Sequence, residues 1–509
     1  MLSTGMIYAL IIIFGFIGVM ALLDKFDLLE PFGMELSGPL LMWKTKKGKD
    51  MIEKIAQKKR FWEIYGNLGL VIVAIAMVLI FILVGWNAYV ATQIPAEQAP
   101  QADEILVIPG INPFIPVGYG ILALAVGIIV HEFSHGILSR AADVDIKSLG
   151  LIFLVVPLGA FVEPDEDQLE KTDRLKRDRM FAAGATSNII LAIVLVLIFS
   201  MAFMGSVSPK EDGPMITRIG ENSPAEEAGM RSYEQILNID DVDVRNQADL
   251  ESIDVPRMKE VNVTTLGGDE EYNYKNLTAG LVINRILDGS PADEADLELG
   301  DIFYEIEGEP IKNRNDFTDA LEEQDEDDLE ITYQRKEAGD YTIGNTTLTL
   351  EDGRMGIDVG YFGLSTQEAD WIPKLLSRPF SGAESRTEII QNAAAYISLP
   401  LLGLSPLPAE IAEQYEVTGV LSALPTSGFW IVANSLYWIF WLNILLGLFN
   451  ALPAVPLDGG HLFKDAVEAL SDRLGLKEET GEKLSQGMTY ALALTVLFLL
   501  MWSMIGPRI

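Results

Sequence analysis

Six uncharged apolar stretches recur along the chain, at roughly 6–23, 67–91, 115–140, 180–205, 428–452 and 486–505. Each approaches or exceeds the ~20 residues that carry a helix across a bilayer. The pattern therefore predicts a polytopic α-helical membrane protein of about six transmembrane helices. The first stretch has neither a basic n-region nor a small-residue cleavage site, which predicts an uncleaved anchor rather than a signal peptide. A further apolar patch, AAAYISLPLLGLSPLP from 393, is broken by Pro400, Pro406 and Pro408 and predicts an interfacial or re-entrant element. Between 206 and 427 the period changes. Runs such as LEITYQR (329–335) and TTLTLED (346–352) alternate as strands do.

Charge divides along the same lines. The 509 residues carry 37 Lys+Arg and 73 Asp+Glu, a net charge of -36. Residues 211–352 alone hold 38 acidic and 11 basic side chains, a net of -27. So negative a surface argues against nucleic-acid binding and resembles proteins from salt-rich environments. The lysine-rich loops WKTKKGKDMIEKIAQKKRFW (43–62) and EKTDRLKRDRM (170–180) contrast with 92–114, which has no Lys or Arg. The positive-inside rule then puts 24–66 and 141–179 in the cytoplasm and 92–114 and 206–427 outside. Contact with anionic lipids is the plain expectation for the 24–66 segment. Three Asn-x-Thr sequons, at Asn262, Asn276 and Asn345, fall in the outer segment and nowhere else.

The outer segment contains a repeat. ITRIGENSPAEEAGM (216–230) aligns without gaps on INRILDGSPADEADL (283–297) at an offset of 67, and VRNQADL (244–250) aligns on IKNRNDF (311–317). Serine before proline is good N-cap and N1 chemistry for a helix start. With LGDIFYEIEGEPIKN (299–313), the pattern resembles the PDZ domain, which binds extended peptides by adding a strand at a sheet edge. The resemblance implies two inserted α/β PDZ-like domains that could bind peptide C-termini. The second copy is the favoured binder, because the first reads SYEQI (232–236) where Gly-Asp should stand. The competing reading is a pair of spacers or size filters without peptide affinity.

One apolar run holds three ionisable groups. In IIVHEFSHGIL (128–138) the nearest charge upstream of Glu132 is Glu104. Intramembrane ionisable residues cost roughly 2.5–3.5 kcal/mol each on insertion scales and mark functional sites. A helix puts His131 and His135, four residues apart, on one face. H-E-x-x-H is the spacing with which two imidazoles hold Zn²⁺ while the glutamate takes a proton from water. The chain has no cysteine, so any metal rests on histidine and carboxylate. The third ligand expected of catalytic zinc has a candidate in Asp458, the first charge after Glu416, within FNALPAVPLDGGHLF (449–463). Alone, DGG would equally suit a helix cap at the membrane edge.

Together these motifs resemble the site-2 proteases, intramembrane zinc metalloproteases. H-E-x-x-H pairs there with N-x-x-P-x-P-x-x-D-G, which Asn450, Pro453, Pro456, Asp458 and Gly459 match except that the second proline stands one place later, as N-x-x-P-x-x-P-x-D-G. A G-x-x-x-N signature matches Gly184 to Asn188, and LGLIFLVVPLGAFVEP (149–164) is similar to the family's membrane-associated β-hairpin. The resemblance covers about 115–505. It implies one Zn²⁺ per chain on His131, His135 and Asp458, Glu132 as general base and later proton donor, and Asn450, Pro453 and Asn188 at the substrate. It further implies hydrolysis of peptide bonds within or beside the transmembrane segment of membrane-protein substrates. The setting would be the cell membrane, with the PDZ-like domains outside and the H-E-x-x-H site nearer the cytoplasm. His461 is left outside the metal set. Spans ahead of the H-E-x-x-H helix, with the acidic composition, resemble archaeal members.

The domain reading that follows starts with an N-terminal transmembrane helix (1–25), a basic cytoplasmic loop (26–66), and a helix with outer loop (67–114). The first part of the protease core (115–210) precedes the PDZ-like domains (211–279 and 280–360). A linker with the interfacial element (361–426) leads to the second part of the core (427–509). Two other classes share some of these residues. A catalytically inactive PDZ-bearing scaffold would not need Glu132, and a metal-ion transporter would explain neither Glu132 nor the repeat.

Overall fold

In the computed structural model, the apolar stretches become long helices: Lys59–Ala91, Val117–Ala141, Arg174–Leu197, Thr426–Asn450 and Glu478–Ile505. Among the described residues, five helical segments are long and apolar enough to cross a bilayer. The expected first span falls in a further helix, Thr4–Lys25. The structure describes residues 4–508 except 46, 95–98, 100, 102, 103, 105, 106, 155, 255–258, 323–327, 338, 352, 379–384, 403–406 and 408. The chain divides into two units, Met1–Phe199 with Val432–Ile509, and Ser200–Ile431.

In the first unit, small residues let helices approach closely, as expected where no hydrophobic force drives helix association in lipid. A Cβ added at Gly69 would stand 2.6 Å from Thr186 Oγ1, so helix 59–91 lies against helix 174–197 at that glycine. Two residues before Gly184 and one after it, Ala182 and Ala185 are fully buried with Val73 and Ala451. Asp458–Arg473 forms a separate helix after the proline-containing turn at 451–457.

The basic loop 26–66 is more structured than expected. It carries two strands, Met34–Ser37 and Leu40–Thr45, and a helix, Lys49–Ala56. Leu41 to Thr45 pair with Phe153 to Leu149, so the 146–164 hairpin is half of a four-stranded antiparallel sheet. Its order is 34–37, 40–45, 146–154 and 156–164. Helix 49–56 alternates apolar and charged positions at helical period. It buries Ile52 completely, in a core with Ile137, Leu138, Ile146 and Met180. Lys49 Nζ donates to the carbonyls of Ile146 (2.6 Å) and Lys147 (2.5 Å). That lysine thus ties the loop to the sheet.

The second unit contains two sheets of one design, all antiparallel. The first runs in the order 270–278, 260–267, 235–239, 215–219, 364–367; the second runs 340–349, 328–337, 302–306, 281–286, 357–361. Each has a separate core, one including Ile216, Ile236 and Val263, the other Ile283, Phe303 and Ile331. The Ser-Pro helix start is realised in the first copy, where Ser223 Oγ accepts from Glu226 N at 3.2 Å. The copies are not two consecutive blocks, 211–279 and 280–360, as the sequence suggested. Strand Leu364–Gln367 closes the first sheet against Met215–Ile219, so the second module is inserted within the first. Strand pairing between residues ~150 apart leaves no local trace, which is why 361–426 reads as linker.

The departure at SYEQI is one of spelling only. Tyr233 takes the positive φ (71°) that Gly300 takes in the second copy (93°). Glu234, like Asp301, is buried. Thr265 donates to the Glu234 carboxylate at 2.6 Å and Tyr274 at 3.0 Å, where Asp301 has Arg335 at 2.7 Å. Burial raises the Glu234 carboxyl above its ordinary pKa. The apolar patch from 393 falls in helix Arg386–Ser398 and a 3-10 turn, Leu399–Leu402, while Pro406 and Pro408 lie outside the described residues.

Candidate active site

Helix Val117–Ala141 carries His131, Glu132 and His135; helix Asp458–Arg473 begins with Asp458; helix Arg174–Leu197 passes behind them. The two Nε2 atoms are 3.2 Å apart, and Asp458 Oδ2 lies 3.3 Å from His131 Nε2 and 3.4 Å from His135 Nε2. Among the described residues these three form the one group of His, Asp or Glu side chains gathered closely enough to hold a metal.

The donor set fits zinc. Bonds of ~2.0–2.1 Å from a tetrahedral ion hold its ligand atoms about 3.3 Å apart, and the three observed separations are 3.2, 3.3 and 3.4 Å. His135 Nδ1 lies 2.8 Å from the Met180 carbonyl, so Nδ1–H donates there and Nε2 keeps its lone pair for a metal. Asn188, fully buried, sits with its amide 3.2 Å from His131 Nδ1. Nδ2 is the atom at that distance and Oδ1 is buried without a partner, so with His131 Nε2 on a metal and the proton on Nδ1, the amide would have to turn over for Oδ1 to accept it. Asp458 Oδ2 is buried without a hydrogen-bond donor. A cation between these electron-rich atoms answers that cost.

Three glycines make the convergence possible. A Cβ at Gly184 would lie 2.5 Å from Nε2 of both His131 and His135. At Gly459 it would meet the Ala451 carbonyl at 2.2 Å, and at Gly460 the backbone of Ala454 at 2.5 Å. The Gly-Gly pair therefore lets the Asp458 helix start directly on the 451–455 turn. We expect Gly184→Ala to lower zinc affinity roughly 10–100-fold, the range for altered metal support. Competition with a calibrated chelator measures it; an unchanged affinity would mean the helices move apart freely.

Glu132 points at the four-stranded sheet, where Val162 N–H donates to its Oε2 at 3.1 Å. Leu149 and Val162 are paired in the ladder, and the Val162 N–H turns away from the 146–154 strand. The hairpin's other edge is covered by strand 40–45, so 156–164 presents the sheet's edge to the site. Asn450 ends its helix with Nδ2 donating to the Leu446 carbonyl at 2.9 Å. Pro453 is buried in the turn. His461 is stacked on Phe181 at 4.8 Å and is not among the gathered ligands. Met180 and Val162 act here through backbone atoms, for which no side-chain signal exists in the sequence.

Fold and site together define a membrane-embedded metallopeptidase. Residues 119–496 match the model of peptidase family M50, and the chain belongs to that family, the site-2 proteases. Three of its relatives share between 21% and 23% of their residues with it. One is an uncharacterized protein of Methanocaldococcus jannaschii, 23% identical over 437 residues, covering 84% of this chain and 78% of that one. A Vibrio cholerae protein whose name places it among zinc metalloproteases is 21% identical over 447 residues, covering 75% and 95%. The regulator of sigma E protease of Haemophilus influenzae is 22% identical over 417 residues, covering 70% and 91%. The protein is a zinc metalloendopeptidase with Zn²⁺ as its cofactor.

Proposed function

We propose that the protein hydrolyses peptide bonds within or beside the transmembrane segments of membrane-protein substrates, with zinc held by His131, His135 and Asp458. The observation that carries this reading is the convergence of two imidazole nitrogens and one carboxylate oxygen within 3.4 Å, one residue from Glu132. Zinc, when bound, supplies Lewis acidity that makes water nucleophilic near neutral pH and polarises the scissile carbonyl. Glu132 removes the proton from the attacking water and delivers it to the leaving amine. Asn188 and the Met180 carbonyl fix the tautomers of the two histidines and so serve the ligands rather than the substrate.

The substrate backbone pairs as a strand with the edge of 156–164, and Asn450, its Nδ2 already committed to its own helix, offers Oδ1 to a substrate N–H. Pro453 shapes the turn that presents Asp458. Water enters through a polar cavity of about 880 Å³ lined by Arg177, Phe181, His461 and Asp465. Most of its lining comes from the helices that carry Asp458 and Met180, with Glu478, Gly481 and Glu482 added by the last helix. The charge asymmetry of the loops supports a cytoplasmic position for that side and an outer one for the two PDZ-like modules.

A helical substrate satisfies its own backbone, so it must unwind before it can pair with a strand edge or meet the site. Changing three residues of a reconstituted single-span substrate from leucine to glycine weakens the helix by roughly 2–3 kcal/mol. Cleavage by purified enzyme should then rise by about tenfold or more. A flat series across leucine, alanine and glycine substrates would sink the unwinding step, while absence of cleavage in every substrate would sink the proteolytic reading.

A further inference from the structure

The two repeated modules are built alike but end differently at the strand an extended peptide would join. In the second module, strand Ile357–Tyr361 is the sheet edge beside helix Arg314–Glu322. Phe362 N–H donates to the Gly280 carbonyl, and Val282 and Ile283 face Gly360 and Val359. Alternation along an antiparallel ladder then turns the Val359 N–H and C=O away from the sheet. That outward carbonyl is already taken: Arg314 Nη1 donates to it at 2.7 Å. The Arg314 backbone N–H is in turn held by the Tyr361 hydroxyl at 3.1 Å, which also lies 3.2 Å from the carbonyls of Glu251 and Ile253.

The first module repeats this geometry without the plug. Gly220 N–H donates to the Gly363 carbonyl at 2.7 Å as Leu287 N–H donates to that of Gly356 at 2.8 Å. Both edge strands carry a register shift at the same place, which makes Thr366 the counterpart of Val359 and turns its N–H and C=O outward. The counterpart of Arg314, 67 residues earlier, is Gln247. Its Nε2 donates to Glu251 Oε1 at 3.0 Å within its own helix, and its Oε1 is buried without a partner. Among the described residues no side chain caps the Thr366 carbonyl.

We infer that the first module, not the second, is the peptide-binding one: an extended segment adds as a strand at Thr366, while Arg314 holds the second edge shut. The occupant is an internal or otherwise uncharged-ended peptide of net positive charge. A net of -27 over 211–352 repels acidic segments and free carboxylate ends, and the unpartnered Gln247 Oε1 needs a donor. The departure at SYEQI does not count against the first copy, since Tyr233 and Glu234 reproduce the backbone and the buried acid of Gly300 and Asp301.

The test uses the full chain in detergent micelles and a fluorescein-labelled octapeptide alternating valine with lysine and threonine, its C-terminus amidated, followed by anisotropy. Wild-type protein should bind one probe per chain, and a matched valine–glutamate peptide should bind at least ~10-fold more weakly. Thr366→Pro removes an N–H that the inner ladder does not use and blocks the edge, so affinity should fall ~10-fold or more, whereas Thr366→Val should bind as wild type. Arg314→Ala should raise the stoichiometry from one probe to two. No binding by wild type, undiminished binding by a folded Thr366→Pro, or unchanged stoichiometry in Arg314→Ala would each overturn the assignment. The last needs no disturbance of the first edge, so it decides the matter even if the proline variant misfolds.

Discussion

Glu132→Gln should keep about one zinc per chain while peptide hydrolysis falls by roughly 10²–10⁴-fold, the usual worth of a positioned general base. Glutamine has nearly the volume of glutamate, and its amide oxygen can still accept from the Val162 N–H that holds Oε2 at 3.1 Å. The side chain therefore stays where it is and loses only its ability to take up a proton. Zinc content by elemental analysis, beside initial rates on a reconstituted single-span substrate, separates the two effects. Loss of zinc in this variant would assign Glu132 to the ligand set. Undiminished turnover would remove it from the chemistry and leave another group to be found.

Asp458→Ala should remove most of the zinc and, with it, activity by roughly 10³-fold or more, since the metal's charge stabilisation is worth several kcal/mol. The carboxylate closes a triangle whose sides are 3.2, 3.3 and 3.4 Å. Without it two imidazoles remain, a set short of the three protein ligands usual for catalytic zinc. The glycines after Asp458 are untouched, so the helix still starts on the 451–455 turn, and lost metal cannot be laid to a displaced helix. Full zinc occupancy in this variant would break the link between the two distant motifs. In that event His461, three residues on, would be the first group to examine as a substitute.

Much of the site was legible because its chemistry resides in rare side chains at fixed spacing. The chain has three histidines, two of which lie four apart in an apolar run. Asp458 stood out as the first charge in over forty residues. The long helices followed from hydrophobic run length, and the repeat from its constant offset. What stayed hidden was non-local or carried by the backbone. Strand 40–45 pairs with residues more than a hundred positions away, and nothing in LLMWKT announces its partner. The Met180 carbonyl and Val162 N–H belong to residues whose side chains carry no signal for those roles. Nothing in IKNRNDF sets Arg314 apart as the residue that caps a strand edge.

The insertion of one module inside the other also fixes the order in which the protein can be completed. The ribosome delivers four strands of the first module's sheet by residue 278, then the whole second module, and only afterwards the closing strand 364–367. Until then the 215–219 strand has a bare flank, the kind of edge that invites pairing with a stray chain. The second module, finished earlier, can fold while its neighbour waits and then deliver the missing strand across a two-residue turn, Phe362–Gly363. Nascent-chain maturation outside the membrane thus runs inside-out, with the later-encoded module serving as the template on which the earlier one is sealed.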